Sequence, residues 1–248
     1  MALIHEFESQ GNLLFRHRSW LPLLILFPAL GMHVYHQGHL SPFEVEWEYA
    51  IRLIGMLIGL IGLGIRMHVV GHSAPNTSGR NTAQGQVADS LNSTGMYSMV
   101  RHPLYLGNFL MWLAPAIWTL DIWFILFFTA AYWLYYERIM FAEEAFLRKK
   151  FGTTYDDWAM ESPPFIPNIS GYITSDRPLS WKKILKKEKN GLAALFLIFW
   201  AFDMIPRIIH SGTFDIPMNF WAISAIISLG IYLILKGLKK SALLNEET

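Results

Sequence analysis

The sequence predicts an all-α fold, a polytopic membrane bundle of about six transmembrane helices. Three observations carry that expectation. The 248-residue chain is 53% hydrophobic and 15% aromatic but only 16% charged, where soluble domains carry about 25% charged residues. Six apolar stretches each approach the ~20 residues a helix needs to cross ~30 Å of hydrocarbon. None has the ten-residue alternation of a membrane barrel, so helices are left to satisfy the backbone. The third observation is that charge is segregated along the chain, although its net value is only +1.

The apolar stretches run over Trp20–His36, Tyr49–Val70, Leu104–Leu120, Ile122–Ala142, Leu192–Ile209 and Pro217–Leu235. The N-terminal residues before the first have early acids and no small-x-small cleavage site, so no cleaved signal peptide is expected. The first and third stretches are short, and the fifth is interrupted by Asp203 and Pro206. Gly55, Gly59, Gly62 and Gly64 strip one face of the second stretch, either for close helix packing or for a ligand lying against it. Little more than Asp121 separates the third and fourth, which predicts a tight antiparallel hairpin. Asp203 and Arg207 have i,i+4 spacing beside Pro206 and predict a structural pair at a kink.

Basic residues mark one side. Arg16 and Arg18 precede the first stretch, Arg80 and Arg101 lie between the second and third, and Arg148, Lys149, Lys150, Arg177, Lys182, Lys183, Lys186, Lys187 and Lys189 lie between the fourth and fifth. Lys236, Lys239 and Lys240 follow the last. The opposite connections carry Glu44, Glu46, Glu48, Asp121 and Asp215. The positive-inside rule therefore predicts both termini and the two long loops in the cytoplasm, with the protein in a cytoplasmic (inner) membrane. A single membrane domain over 1–248 is expected, without repeats or low-complexity tracts.

Two constellations face that side. In Gly95-Met-Tyr-Ser-Met-Val-Arg-His-Pro-Leu-Tyr-Leu-Gly107, Pro103 fits the first turn of a helix, where its missing N–H costs nothing. Arg101 and His102 then sit at a helix N-terminus suited to a carboxylate or phosphate. Tyr105 lies three residues beyond His102, and Gly107 removes a side chain where a ligand or a helix could press on the backbone. A basic interfacial anchor explains the same residues. The second constellation runs from Glu137-Arg138 through Glu143-Glu144 to Phe151-Gly152 and Tyr155. Charges at the end of a membrane helix usually face a partner or cavity; an ordinary exit from the membrane is the alternative. Ser180–Lys189 reads as a basic amphipathic stretch with Trp181, Ile184 and Leu185 as interfacial contacts, or as simple anchoring of the fifth helix.

Together these pieces, Gly-x-Tyr-x-x-x-Arg-His-Pro-x-Tyr-x-Gly, a helical hairpin, then Arg-x4-Glu-Glu-x6-Phe-Gly-x-x-Tyr, resemble the integral-membrane methyltransferases. That superfamily includes isoprenylcysteine carboxyl methyltransferases and phospholipid N-methyltransferases. The resemblance covers about 91–167, closing on Pro163, Pro164 and Pro167. It makes 91–167 the cofactor-binding core and 179–248 an added basic segment with two further helices. It implies an active site at the cytoplasmic face and S-adenosylmethionine as cofactor. Tyr97, Arg101, His102, Pro103, Leu104, Tyr105, Gly107, Glu143 and Glu144 would hold that cofactor, with Arg138 and Glu143 as catalytic candidates. The two glutamates are not separable in role.

Methyl transfer from a sulfonium is an in-line displacement governed by alignment, and no cysteine nucleophile is present. No unambiguous general base is visible, so an anionic oxygen is the expected acceptor: a lipid phosphate such as that of lipid A, or a carboxylate. A phospholipid amine and an isoprenylcysteine carboxylate are the alternatives within the resemblance. A sterol-type membrane reductase using NADPH and a non-catalytic transporter or scaffold are the alternatives outside it. The expected partners are a membrane lipid or lipidated substrate, with no nucleic acid. His33, His36 and His39, and His68 with His72, have spacings compatible with a metal, but no carboxylate-rich motif accompanies them and no metal is expected.

Overall fold

The computed structural model of the chain describes residues 2–39, 42–74, 77, 81–82 and 85–241. Arg80 and the side chain of Glu44, both counted in the charge asymmetry, lie outside that description. Among the described residues the protein is all-α: α1 (Leu3–His17), α2 (Leu26–Gln37), α3 (Pro42–His72), α4 (Met96–Met99), α5 (Pro103–Trp118), α6 (Ile122–Phe151), α7 (Thr153–Glu161), α8 (Trp181–Ser211) and α9 (Phe220–Lys240). The remaining regular structure is two 3-10 turns and a two-residue antiparallel ladder, Asn81–Thr82 against Gly85–Gln86.

Among the described residues, three helices are long and apolar enough to cross a membrane: α3 over Glu46–His72, α8 and α9. The other expected crossings take different forms. Trp20–His36 is not one helix; a 3-10 turn at Leu21–Ile25 leads into the 12-residue α2. Pro22 and Pro28 lack the N–H groups a continuous helix would need, so the helix restarts with Pro28 in its first turn. α5 has 16 residues, and α6 runs 30 residues without a break, past its apolar half and through Glu143 and Glu144 to Phe151. Lys182–Lys189 is the first part of α8 rather than a separate interfacial segment. Within it Trp181 is exposed, while Ile184, Lys183 and Lys189 are buried. α1 is a helix that the hydropathy pattern did not mark.

The chain divides into two compact units, each discontinuous in sequence. One comprises Met1–Pro22, His68–Leu106 and Ala130–Ser180; the other comprises Leu23–Met67, Gly107–Thr129 and Trp181–Thr248. The second unit contains most of the apolar helix length. Its core centres on Trp118, fully buried, stacked on Phe199 at 4.8 Å and edge-on to Trp221 at 4.6 Å. The Trp118 indole N–H donates to the Arg52 carbonyl at 3.0 Å.

In that unit α3 and α8 lie antiparallel, with their register fixed by charge at two levels. Arg52 pairs with Asp203 (Nη1–Oδ1 3.2 Å) and with Glu48, and Asp203 also accepts from Arg207 (3.1 Å) and Asn219 (2.7 Å). Roughly four turns along α3, about 21 Å at 1.5 Å per residue, Arg66 grips Glu188 with two hydrogen bonds of 2.8 and 2.9 Å. Its remaining nitrogen donates to Asn108 Oδ1 at 2.6 Å. The pairing of Asp203 with Arg207 matches the spacing read from sequence.

Close approach explains Gly55, Gly59 and Gly62 of α3, whereas Gly64 faces open space. A Cβ on Gly62 would lie 2.5 Å from the Gly107 carbonyl oxygen, and one on Gly107 would lie 2.7 Å from Arg66 Cγ. These two glycines let α3 and α5 cross nearly backbone to backbone and leave room for the Arg66 stem. The α5–α6 hairpin is as tight as expected. Leu120 takes φ 58°, and Asp121 Oδ1 accepts from the Phe124 N–H at 2.6 Å. His36 reaches the other carboxylate oxygen of Asp121 at 3.0 Å, and His33 bonds the Phe202 carbonyl at 2.9 Å.

Removing one member of a buried ion pair leaves the other uncompensated, at a cost of roughly 3–5 kcal/mol. Glu188→Ala is therefore expected to lower stability by about that amount in detergent unfolding measurements. The double variant Arg66→Met/Glu188→Leu is expected to recover most of it. A double variant no more stable than the single one would remove the pair from its register-setting role.

Candidate active site

The site lies in the first unit, on the segment leading into α5. Gly95 adopts φ +64°, a left-handed conformation open to glycine, and bridges Ile173 with an N–H···O=C bond of 2.8 Å. From there the chain is sewn to 158–173. Trp158 Nε1 and Ser162 Oγ donate to the Tyr97 carbonyl at 3.1 and 3.2 Å. The Ile173 N–H donates to Ser98 Oγ at 2.8 Å, the Asn168 N–H to the Met99 carbonyl at 2.9 Å, and the Arg101 N–H to the Pro163 carbonyl at 2.8 Å. Gly95–Arg101, seven residues of the motif, are thus held by bonds that each involve a main-chain group before any ionised side chain is placed.

His102 stands immediately before α5, and its carbonyl accepts from the N–H groups of Tyr105 and Leu106 at 3.0 and 3.1 Å. Pro103 opens the helix, as its ring geometry predicts. The His102 side chain is 4% exposed and lies between two carboxylates contributed by α6. Nε2 bonds Glu144 Oε1 at 2.9 Å, and Nδ1 faces Glu143 Oε2 at 3.6 Å. Arg101 Nη1 donates to Glu144 Oε2 at 2.8 Å. The Tyr105 ring stacks on the imidazole at 5.6 Å and 18°, with Tyr136 behind it at 4.8 Å. Tyr132 Oη donates to the Tyr105 carbonyl at 2.8 Å and its ring stacks on Tyr136 at 4.2 Å, which anchors the aromatic wall.

The electrostatics follow from this geometry. Burial alone would lower the His102 pKa, but hydrogen bonds and charge from Glu143 and Glu144 outweigh it and raise the pKa. Burial would likewise raise both carboxylates; the His102 bonds and charge outweigh it and lower them. The two carboxylates thus favour the protonated form of His102, and His102 favours their ionised forms.

The two glutamates, alike in sequence, are unlike here. Glu144 has one oxygen on Arg101 and the other on His102, so it is fully engaged. Glu143, its side chain 22% exposed, has His102 at 3.6 Å and the Tyr105 hydroxyl as donors, and its two oxygens keep acceptor capacity beyond these. The arrangement also leaves donors open. Arg101 Nε and the Tyr155 hydroxyl are buried without a hydrogen-bond partner among the described residues. A buried group of that kind is costly unless something else satisfies it.

Most of the residues expected from sequence come together: Arg101, His102, Pro103, Tyr105, Glu143 and Glu144 form one cluster, and Tyr97 is coupled to it through the charge of Glu143. Leu104 is half-buried at the start of α5. Two residues lie elsewhere. Gly107 is occupied by the α3 crossing in the other unit. Arg138 pairs with Glu137 at 2.6 Å and lies over the Phe7 ring of α1 at 3.6 Å. Five positions along a helix turn a side chain by about 140°, so Arg138 faces a different side of α6 from Glu143. Two residues join the site that the pattern alone did not place in it. Tyr155, quoted in the motif, is fully buried beside Glu144 and Arg101. Arg18, at the end of α1, is the cation whose field helps hold Glu143 ionised.

Residues 51–154 match the phospholipid methyltransferase family, and this stretch contains the Arg101–His102 turn and both glutamates. Over this segment the chain is similar to that family. It is a family of membrane methyltransferases that use S-adenosylmethionine. Among curated relatives, one is named a methyltransferase and two are named metal-resistance proteins. The chain is 26% identical over 129 residues to the protein-S-isoprenylcysteine O-methyltransferase of Tribolium castaneum, covering 52% of this chain and 45% of that one. It is 32% identical over 136 residues to the nickel-cobalt-cadmium resistance protein NccN of Alcaligenes xylosoxydans xylosoxydans, covering 54% and 57%. It is 28% identical over 168 residues to the cobalt-zinc-cadmium resistance protein CzcN of Cupriavidus metallidurans, covering 66% and 70%. The match spans about half the length of the first two. No solved structure matches the chain.

The site residues suit the family cofactor. Glu143 has acceptor capacity for an ammonium or ribose hydroxyls and offers negative charge to a sulfonium. Arg101 Nε and Tyr155 Oη are buried donors without a hydrogen-bond partner among the described residues.

The cluster makes stability depend on pH in a defined direction. A histidine whose pKa is raised by folding contributes stability that is fully present below its unfolded value, about 6.5, and is lost as pH rises through the folded value. The lowered carboxylates contribute stability that is present above their unfolded values, about 4.3, and is lost as pH falls through the folded ones. The melting-temperature difference between wild type and His102→Gln should therefore be largest between about pH 4.5 and 6.5 and shrink above that window. A difference that grows toward alkaline pH would contradict the raised His102 pKa.

Proposed function

We propose that this protein catalyses S-adenosylmethionine-dependent methyl transfer to a membrane-embedded lipid or lipidated acceptor, with an anionic oxygen as nucleophile. The observation that supports it most directly is the His102–Glu143–Glu144 cluster on the family segment, in which one glutamate is fully engaged and the other is left with free acceptor capacity. When bound, S-adenosylmethionine supplies an electrophilic methyl group on a sulfonium. The chain's own residues bind and orient. Glu144 is the brace that ties the helix start to α6, Glu143 the carboxylate that meets the cofactor's positive charge, and Arg101 Nε and Tyr155 Oη donors to its polar groups. Leu104 and Tyr105 supply apolar contact, and Pro103 sets the turn. Arg138 and Gly107 are assigned to packing, at α1 and at the α3–α5 crossing.

His102 also bears on the acceptor. The two carboxylates favour its protonated form, which does not suit a general base, and an ammonium headgroup would have to lose a proton before attack. A phosphate or carboxylate oxygen is already a nucleophile and needs alignment only. A membrane acceptor agrees with helices long enough to span a bilayer. Six crossings with both termini and the site on the cytoplasmic side agree with the distribution of basic residues. A carboxylate acceptor is the second reading, favoured by the similarity to an isoprenylcysteine methyltransferase.

S-adenosylhomocysteine is expected to bind the purified protein in calorimetry. Glu143→Gln should weaken it roughly tenfold to a hundredfold, as for one charge-assisted hydrogen bond of about 1.5–3 kcal/mol, with a smaller drop in melting temperature than Glu144→Gln. Glu144→Gln should lower both. Absence of binding in a folded wild-type sample would end the cofactor assignment. Incubating membranes with methyl-labelled cofactor, followed by lipid extraction and mass spectrometry, identifies the acceptor. Label confined to amine headgroups would overturn the anionic-oxygen reading.

A further inference from the structure

A second polar feature of the first unit lies outside the cluster just described. A cleft of about 170 Å³ opens between the C-terminal turns of α3, the strand-like run before α4, and the segment ahead of α8. Its wall carries His68, His72, Ser93, Thr94, Asp176 and Arg177. Tyr97 of the Gly-x-Tyr motif lines it too and feels the charge of Glu143, so the cleft adjoins the proposed reaction centre.

The chemistry of the wall is that of an anion receptor. His68 Nε2 is buried with no hydrogen-bond partner among the described residues. His72 uses Nδ1 on the Arg177 carbonyl at 2.6 Å, which fixes its ring and ties the Arg177 backbone to the end of α3. The Ser180 N–H donates to the Gly71 carbonyl at 3.1 Å, a second tie between the same two segments. The arginine is held at the rim by its main chain, and its guanidinium is left to bind. Asp176 is the one carboxylate of the wall among the described residues, and one of its oxygens already accepts from Thr94 Oγ1 at 2.8 Å. Two imidazoles, a guanidinium and serine hydroxyls against one engaged carboxylate favour a negative ligand. A quaternary or primary ammonium would need free carboxylates or an aromatic cage, and the wall offers one phenol.

We propose that this cleft binds a phosphate group, and that in the methyl-transfer reaction it holds the phosphate of the acceptor's headgroup. The second half of that statement rests on the methyltransferase reading; the first does not. The position agrees with a lipid source, because the cleft is built on the last turns of α3, a helix long and apolar enough to span a bilayer. The headgroup would be fixed by Arg177, His68 and Ser93 beside the reaction centre.

The test uses the full chain in detergent, with three probes in calorimetry: inorganic phosphate, dihexanoyl phosphatidate and S-adenosylhomocysteine. Arg177 is exposed, so Arg177→Gln is expected to fold normally and to weaken both phosphate probes about tenfold, leaving S-adenosylhomocysteine within twofold of wild type. Asp176→Asn should strengthen phosphate binding severalfold by removing a like charge. Tighter binding of phosphatidate than of inorganic phosphate identifies a lipid headgroup; equal binding removes the headgroup assignment. Loss of S-adenosylhomocysteine binding in Arg177→Gln would give the cleft to the cofactor and overturn the proposal, as would phosphate binding unmoved by either substitution. If wild type binds phosphate with this dependence but binds no S-adenosylhomocysteine, the anion site stands and the methyltransferase reading falls.

Discussion

A charge enclosed among apolar helices must be met by an opposite charge, because unpaired it costs several kcal/mol to keep out of water. Much of this protein's architecture is an answer to that constraint. In the helical second unit, Arg52 and Arg66 are each met by a carboxylate from α8, and the two meetings fix how α8 runs along α3. In the first unit, Arg101 and His102 are met by Glu144, and that meeting fixes how the start of α5 is held against α6. The same physics builds a scaffold in one case and a binding site in the other. The difference is whether acceptor capacity is left over: Arg66 has donated to Glu188 and Asn108, while Glu143, met by His102 at 3.6 Å and by the Tyr105 hydroxyl, has further lone pairs to offer.

The site is assembled by the backbone before its charges act. Bonds from Gly95, Ser98, Met99 and Arg101 to the 158–173 segment hold the motif in place, and the Tyr105–Tyr136–Tyr132 stack supports the imidazole from behind. Binding groups held by others in this way lose little freedom when a ligand arrives, which is what alignment-controlled chemistry requires. The proline-rich stretch after α7 earns its place in the motif on the same ground, since Pro163 supplies the carbonyl that pins Arg101.

Much of this was legible in the sequence. Pro103 as a helix start, the hairpin at Asp121, the Asp203–Arg207 pair and the meeting of Arg-His-Pro with Glu-Glu follow from local rules: a missing N–H, a short connection, an i,i+4 spacing and a shared motif. What was not legible depends on rotation and on distant partners. Arg138 and Glu143 are near in sequence, but the helix turns them to different sides. Gly107 reads equally as a ligand seat or a crossing point until α3 is seen to press on it. Arg18 counted only as a positive charge, because nothing in its neighbours says that α1 packs against α6. Trp20–His36 passed as one span because hydropathy averages over Pro22 and Pro28, whose backbone consequences it does not register.

The α3–α8 pairing also has a consequence for how the chain is made. Arg66 and its carboxylate are 122 residues apart, so at ~5–20 residues per second the first waits roughly 6–25 s for the second to be synthesised. Through that interval α3 sits in or near the membrane with two arginines whose α8 partners do not yet exist, each costing about 2.5–3.5 kcal/mol at the bilayer centre. Glu48, one turn before Arg52, and Asn108, on the next helix but one to emerge, are the groups that can cover the two charges first. The family segment therefore enters the membrane as a provisional assembly, and a helix from beyond its boundary makes it permanent.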